Sequence, residues 1–359
     1  MPDTMTALLL DRPAGPDELS AAMRLGRLPF PEPGPGQVRL RVEACSLNPV
    51  DWKVARGGNP AWTWPHVLGL DVAGTVDALG PGVATPAEDG ATALRPDLAV
   101  GDTVALHHDL RRPGGLAQYV VVDALALAHL PDAVSATDAA ALPCAGMTAY
   151  HALTRRLRLA AGQTILITAG AGGVGGYAVQ IAHHLGARVI ATASPDKVRA
   201  VRALGADEVI DYRAAGDPDA VAAAACALIP QGRGVDAVLD TLDSTSATAN
   251  LGALAFNGAL AFIGGRPDLS AIPGFTISPS IHEVSLGAAY SAGTARDRAD
   301  LATMLTEMLE LVAAGRLDAR VAETVPLDAV PAAYAQLARG HQAGKLVCDV
   351  AGSAVAAAS

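Results

Sequence analysis

The chain has 359 residues, 51% of them apolar and 17% charged, and carries a net charge of −10. At about 150 residues per domain this length predicts two or three domains with sizeable cores, and the acidic balance argues against nucleic-acid or membrane-surface partners. No apolar run reaches the ~20 residues that span a bilayer, and the N-terminus lacks the basic and apolar segments of a secretory signal. The four cysteines, Cys45, Cys144, Cys226 and Cys348, are dispersed and form no C-x-x-C pair, so a disulfide-free protein of the reducing cytoplasm is expected.

Residues 1–130 are rich in Pro, Gly and short β-like runs, at 37–42, 72–79, 103–106 and 117–122. Turn signals such as Pro33-Gly34-Pro35-Gly36 and Gly80-Pro81-Gly82 separate them, which predicts a compact, mostly β domain. The polar, Ala/Pro-rich stretch 84–99 reads as a surface loop, and His107-His108 as a solvated loop pair, with a substrate-lining role as the alternative. Trp62 and Trp64 either line a pocket or pack their own loop.

From 131 to 290 the pattern changes to strands alternating with helices. Strands are expected over 164–168, 188–193, 208–211, 237–241, 259–264 and 284–288. Six apolar runs separated by helical stretches predict a parallel, doubly wound sheet. The first run flows into Gly170-Ala171-Gly172-Gly173-Val174-Gly175, a G-x-G-x-x-G placed between a strand and a helix. In that context the first Gly permits the tight turn, the second lets backbone approach a pyrophosphate, and the third lets helix and strand pack closely. The stretch from Gly176 to Ala182 reads as a helix whose N-terminus presents free N–H groups to the phosphates, with Gly173 and Val174 counted in the cofactor-binding turn. Dinucleotide binding is therefore expected.

The second strand ends at Ala193 and not at the acid that would accept a bond from a ribose 2′-OH. Ser194, Lys197 and Arg199 follow, and a hydroxyl with two cations suits a 2′-phosphate. Asp196 counts against this and is read as a first-turn acid on the helix dipole. NADPH is the expected cofactor.

Residues 291–359 form a third segment. A helix over 297–314 should end at Gly315 as its C-cap. The stretch 321–350 reads strand, helix, strand and is expected to return to the first domain, because the sheet already has six strands. The end, 351–359, reads as frayed.

Taken together, Asn48-Pro49-Val50-Asp51-Trp52-Lys53, Leu68-Gly69-Leu70-Asp71-Val72-Ala73-Gly74, Gly114-Gly115-Leu116-Ala117-Gln118-Tyr119-Val120, the glycine turn, Leu204-Gly205-Ala206-Asp207 and Gly344-Lys345-Leu346-Val347 resemble the medium-chain dehydrogenase/reductase superfamily. The similarity is to its zinc-independent quinone oxidoreductase and enone-reductase branch. It implies an α/β protein with a GroES-like catalytic domain, a Rossmann domain, a cleft between them and a homodimer whose Rossmann sheets pair edge to edge. By the same resemblance Thr148 contacts the nicotinamide end of the cofactor and Tyr212 the 2′-phosphate.

Zinc relatives place a cysteine where Asn48 stands, and a histidine where Gly69-Leu70-Asp71 offers Leu70. Only Cys144 keeps a ligand position, whereas catalytic zinc needs about three protein donors plus an open site. No metal is expected, and Cys144 is read as a small buried residue near the cofactor. A displaced zinc set from Cys45, His66 and Cys144, giving an alcohol dehydrogenase, is one alternative, and a non-catalytic NADPH-binding protein is the other. Without a Lewis acid, the reaction implied is hydride transfer to a quinone or α,β-unsaturated carbonyl. Asn48 and Lys53 are the donors toward the oxygen that gathers charge. Asn48 holding the nicotinamide ribose, and Lys53 as a plain surface cation, are the competing roles.

Overall fold

The computed structural model describes residues 4–86, 92–340 and 342–356. The chain folds as two compact units, one from Met1–Met147 with Leu286–Ser359 and one from Thr148–Ser285.

The second unit is built on six parallel strands. Their order is Glu208–Asp211, Arg188–Ala193, Thr164–Ile167, Val235–Asp240, Leu254–Phe262 and Ser280–Glu283. Chain order thus reverses at Thr164–Ile167, which is the doubly wound Rossmann arrangement. The four residues of Thr164–Ile167 are all buried, because helices cover both faces of a parallel sheet and continuous apolar runs result. Five expected strands are found within a few residues of their places. The sixth is not at 284–288: it is Ser280–Glu283, pairing Ala259–Phe262 in parallel register, and Ala288–Ser291 is helical. An edge strand with one open side needs no apolar run, so Ser-Ile-His-Glu carries no hydrophobic signal.

The first unit centres on the eleven-residue strand Gln37–Leu47, which pairs antiparallel with Asp71–Leu79, Tyr119–Asp123 and Lys345–Asp349. The C-terminal tail therefore does return: Val321–Pro326 pairs with Lys345–Asp349, and Cys348 lies opposite Cys45. A Cβ on Gly74 would overlap the carbonyl oxygen of Arg41, so only glycine allows this close strand crossing. Helix Ala295–Ala313 is anchored by Asp297, whose carboxylate accepts from the Thr294 N–H at 2.7 Å. It buries Leu301, Met304, Leu305, Met308 and Leu309, the spacing of a single apolar stripe. The tail is not frayed over 351–356, since Val350–Ala356 is a helix, and 357–359 lie outside the described residues. Of the loop expected over 84–99, residues 87–91 lie outside the described residues. Among the described residues no helix is long and apolar enough to cross a membrane.

Candidate active site

In the second unit the glycine turn sits where its chemistry requires. Ala169 has φ 50°, and its N–H donates to Thr192 Oγ1 at 2.9 Å while the Gly170 N–H donates to the Thr192 carbonyl at 2.8 Å. On the other side the Thr241 N–H donates to Thr168 Oγ1 at 2.8 Å. The turn is thus tied to both neighbouring strands. A Cβ on Gly175 would overlap the Ala169 carbonyl oxygen, and one on Gly170 would lie 2.9 Å from Ala191 Cβ. Gly172 caps the helix Gly173–His184, whose first residues Gly173 and Val174 are half-buried at the turn. That leaves the leading N–H groups of a twelve-residue helix aimed out of the turn, a ready anion site.

Beyond the second strand, Ser194 is buried and Lys197 half-buried, while Arg199 is exposed. The Ser194 hydroxyl engages Asp196 and holds that carboxyl below its usual range, helped by Lys197 and Arg213. Tyr212 is exposed, with the Arg213 guanidinium over its ring at 5.8 Å. Arg213 is a cation that the sequence reading missed, since nothing in the chain's local pattern places it beside Asp196. Thr148 is half-buried in helix Pro143–Tyr150.

In the first unit, buried polar side chains cluster around Asn48 and Asp71. Asn48 precedes helix Pro49–Gly57, and its N–H donates to Asp51 Oδ2 at 2.8 Å. Its side-chain Nδ2 donates to Asp71 Oδ2 at 2.8 Å, and its Oδ1 accepts from Lys345 Nζ. Asp71 is fully buried; its Oδ1 accepts from the Cys144 N–H at 2.9 Å and lies 3.1 Å from His107 Nδ1. Lys345, 4% exposed, also reaches the Leu47 carbonyl at 3.4 Å and Asp71 Oδ2 at 4.0 Å. Burial raises the Asp51 carboxyl to about 7, the Asn48 N–H opposing this and the Asp71 charge adding to it. Burial also pushes the Cys144 thiol well up.

Several expectations change here. His107 and His108 are not a solvated loop pair: both are buried, His107 at the end of strand Thr103–His107 and His108 with Nε2 3.1 Å from the Pro113 carbonyl. The paired polar residues read as loop because their partners, Asp71 and Pro113, are remote in sequence or backbone. Lys53 is exposed, with Nζ 5.9 Å from the Trp52 ring, and does not join Asn48. Lys345 does. The signal was present, a lysine inside the apolar strand Lys345–Asp349, because lysine is almost never buried unpaired. Trp62 packs its loop: its ring stacks on His66 at 4.1 Å and its Nε1 donates to the Leu110 carbonyl at 2.8 Å. Trp64 is 41% exposed.

Cys45, His66 and Cys144 do not form the metal-capable group. Among the described residues that group is Asp71, His107 and Cys144, whose ligand atoms lie within 4.8 Å of one another. Carboxylate, imidazole and thiol suit zinc, but their present bonds do not. A carboxylate only accepts, so the His107 Nδ1 facing Asp71 carries the proton and the ring's lone pair is left on Nε2. Both Asp71 oxygens are engaged, and an ammonium already stands beside them. The residues as arranged do not fit a resident metal ion.

Comparison with known proteins agrees with this architecture. Residues 34–132 match the alcohol dehydrogenase GroES-like domain and residues 204–348 the family described as zinc-binding dehydrogenase. The chain is 30% identical over 338 residues to a chloroplast envelope quinone oxidoreductase homologue of Arabidopsis thaliana, covering 92% of this chain and 94% of that one. It is 36% identical over 319 residues to the polyketide synthase GfsB of Streptomyces halstedii, spanning 88% of this chain but only 5% of that synthase. A solved alcohol dehydrogenase superfamily protein from Novosphingobium aromaticivorans superposes with a TM-score of 0.80 at 33% identity, covering 96% of this chain and 99% of that one. A quinone oxidoreductase from Pseudomonas syringae does so with a TM-score of 0.80 at 28% identity, covering 96% and 100%. From its two matched domains, its doubly wound sheet and its glycine turn, the chain belongs to the medium-chain dehydrogenase/reductase superfamily of nicotinamide-dependent oxidoreductases, in the quinone oxidoreductase-like branch.

Proposed function

We propose that the chain is a zinc-independent reductase that uses NADPH to reduce quinones or α,β-unsaturated carbonyls. The observation that carries this reading is the buried Lys345–Asn48–Asp71 row, in which Asn48 stands where zinc relatives place a cysteine. The quinone oxidoreductases among its relatives support the acceptor class.

Bound to the chain, the cofactor would supply a hydride to the acceptor, whose carbonyl oxygen would gather the displaced electron pair until a proton from solvent completes the reduction. The chain's task is to hold the reactants, stabilise that oxygen and exclude competing chemistry. Gly170, Gly172, Gly173, Val174 and Gly175 supply the pyrophosphate cradle, and Thr148 a hydroxyl toward the nicotinamide end. Ser194, Lys197 and Tyr212 take the 2′-phosphate, with Arg213 added from its place near Asp196. Asn48 spends both ends of its amide on Lys345 and Asp71, so its role is to position and not to donate to substrate. Lys53, exposed and on a flexible stem, is the donor toward the developing oxyanion. A cytoplasmic homodimer completes the reading; the edge strand Ser280–Glu283, with a row of backbone groups open to pairing, supports the dimer, and four free cysteines support the compartment.

Following NADPH absorbance over a panel of quinones, enones and simple aldehydes tests this directly. Turnover of the first two classes, without oxidation of simple alcohols by NADP, is expected. Robust alcohol oxidation with no quinone or enone turnover would overturn the reaction class.

A further inference from the structure

The buried cluster contains two incompatible uses of one carboxylate. Asp71 Oδ1 faces His107 Nδ1 and accepts from the Cys144 backbone N–H, and the carboxylate, the imidazole and the Cys144 thiol lie within 4.8 Å of one another. Through Oδ2 the same carboxylate is the nearest anion to the Lys345 ammonium, 4.0 Å away. The Asn48 amide bridges the two, donating to Asp71 and accepting from Lys345. All five side chains belong to the first unit, and Asn48, Asp71, His107 and Lys345 are buried.

A buried ammonium without a partner is unfavourable, and so is a buried carboxylate. Each therefore holds the other in place, and the amide between them fixes the geometry. A divalent ion brought to Asp71, His107 and Cys144 would sit beside that ammonium in a medium where like charges repel strongly. It would also have to compete with the hydrogen bonds that Asp71 accepts from Asn48 Nδ2 and the Cys144 N–H. Lysine and metal are thus alternatives for the same carboxylate.

We propose that Lys345 is a built-in cation that occupies the electrostatic place of a metal and keeps Asp71, His107 and Cys144 a latent zinc triad. This rests on the metal-free reading above and sharpens it: the chain is not merely short of ligands, it carries the group that excludes the ion. Removing the lysine charge should release the triad.

Cobalt(II) titration tests this, because its visible bands report tetrahedral coordination and a thiolate-to-cobalt charge-transfer band reports the cysteine. The wild-type protein should show neither. Lys345→Met should take up one cobalt per chain, with an affinity above wild type by about a hundredfold, as expected when a like charge a few ångströms away is removed. The charge-transfer band should vanish in Lys345→Met with Cys144→Ser. Lys345→Gln, which keeps a donor toward Asn48 Oδ1, carries the same comparison if the methionine variant does not fold. Two results overturn the proposal: wild-type protein taking up one cobalt with the cysteine band present, or folded lysine variants taking up none. The metal-free reading of catalysis is judged separately, by whether chelators abolish NADPH turnover, so either idea can fall without the other.

Discussion

Lys345 Nζ donates to Asn48 Oδ1, joining two buried side chains 297 positions apart in the chain. The bond ties the strand Lys345–Asp349 to the start of helix Pro49–Gly57, and it makes the two lysines of this unit behave differently. Lys345→Ala leaves Asp71 buried without its cation, and breaking a buried pair costs about 3–5 kcal/mol. Lys53→Ala removes an exposed side chain and should change stability by no more than about 0.5 kcal/mol. Its kcat should nevertheless fall by about ten- to a thousandfold, as for loss of one oxyanion donor. Urea melts and steady-state kinetics on both variants check this; an unchanged kcat in Lys53→Ala would return that residue to the solvated surface.

The glycine turn predicts a graded response. A methyl group on Gly175 meets the backbone of Ala169 and Thr168, whereas one on Gly172 lies 3.1 Å from the Ala169 carbonyl oxygen. Gly175→Ala should therefore destabilise the second unit by about 1–3 kcal/mol, as overpacking does, and weaken the cofactor. Gly172→Ala should stay near wild-type stability and lose mainly cofactor affinity, because the second glycine admits the pyrophosphate. Thermal melts with and without NADPH distinguish the two.

Lys197 is expected to read the 2′-phosphate. A charge-assisted bond is worth about 1.5–3 kcal/mol, so Lys197→Ala should weaken NADPH by roughly ten- to hundredfold and barely touch NADH. Arg213→Ala should act in the same direction, because Arg213 lies near enough to Asp196 to lower its carboxyl. Fluorescence titration of both cofactors decides it, and equal losses for NADH and NADPH would remove the argument.

His66 makes the fold acid-sensitive. Burial, with His108 nearby, lowers its imidazole from 6.5 to about 4. The unfolded chain then binds a proton that the folded chain refuses, so stability falls as pH drops from 6.5 toward 4. His66→Phe, which keeps a ring on Trp62, should gain on wild type by roughly 2–3 kcal/mol over that window. His108, lowered to about 4 by its own burial, contributes equally to both proteins. Urea midpoints at pH 7 and pH 4 check it; a constant gap between the two proteins would contradict the assignment.

Much of this was legible in the sequence where local pattern and chemistry coincide. Gly170 to Gly175 run from the strand end into the first turn of helix Gly173–His184, since a tight turn and a close helix approach demand glycine whatever the surroundings. Long-range partners were not legible. His107 looked like loop because Asp71, its partner, is 36 residues away. Lys345 sat unread in a motif whose apolar neighbours marked a strand, because only the folded sheet shows that its side chain points at Asn48. The sixth strand was displaced for a related reason: Ser280–Glu283 is held by backbone pairing to Ala259–Phe262, and a polar edge leaves no periodic trace.

Hydride transfer to a conjugated carbonyl or quinone without a metal is the proposed reaction. Its most direct test follows NADPH oxidation by the best acceptor before and after exhaustive chelation, with the zinc content of the same sample measured. Substoichiometric zinc and an unchanged kcat are expected. One tightly held zinc per chain, with turnover lost on chelation and restored by zinc, would contradict it.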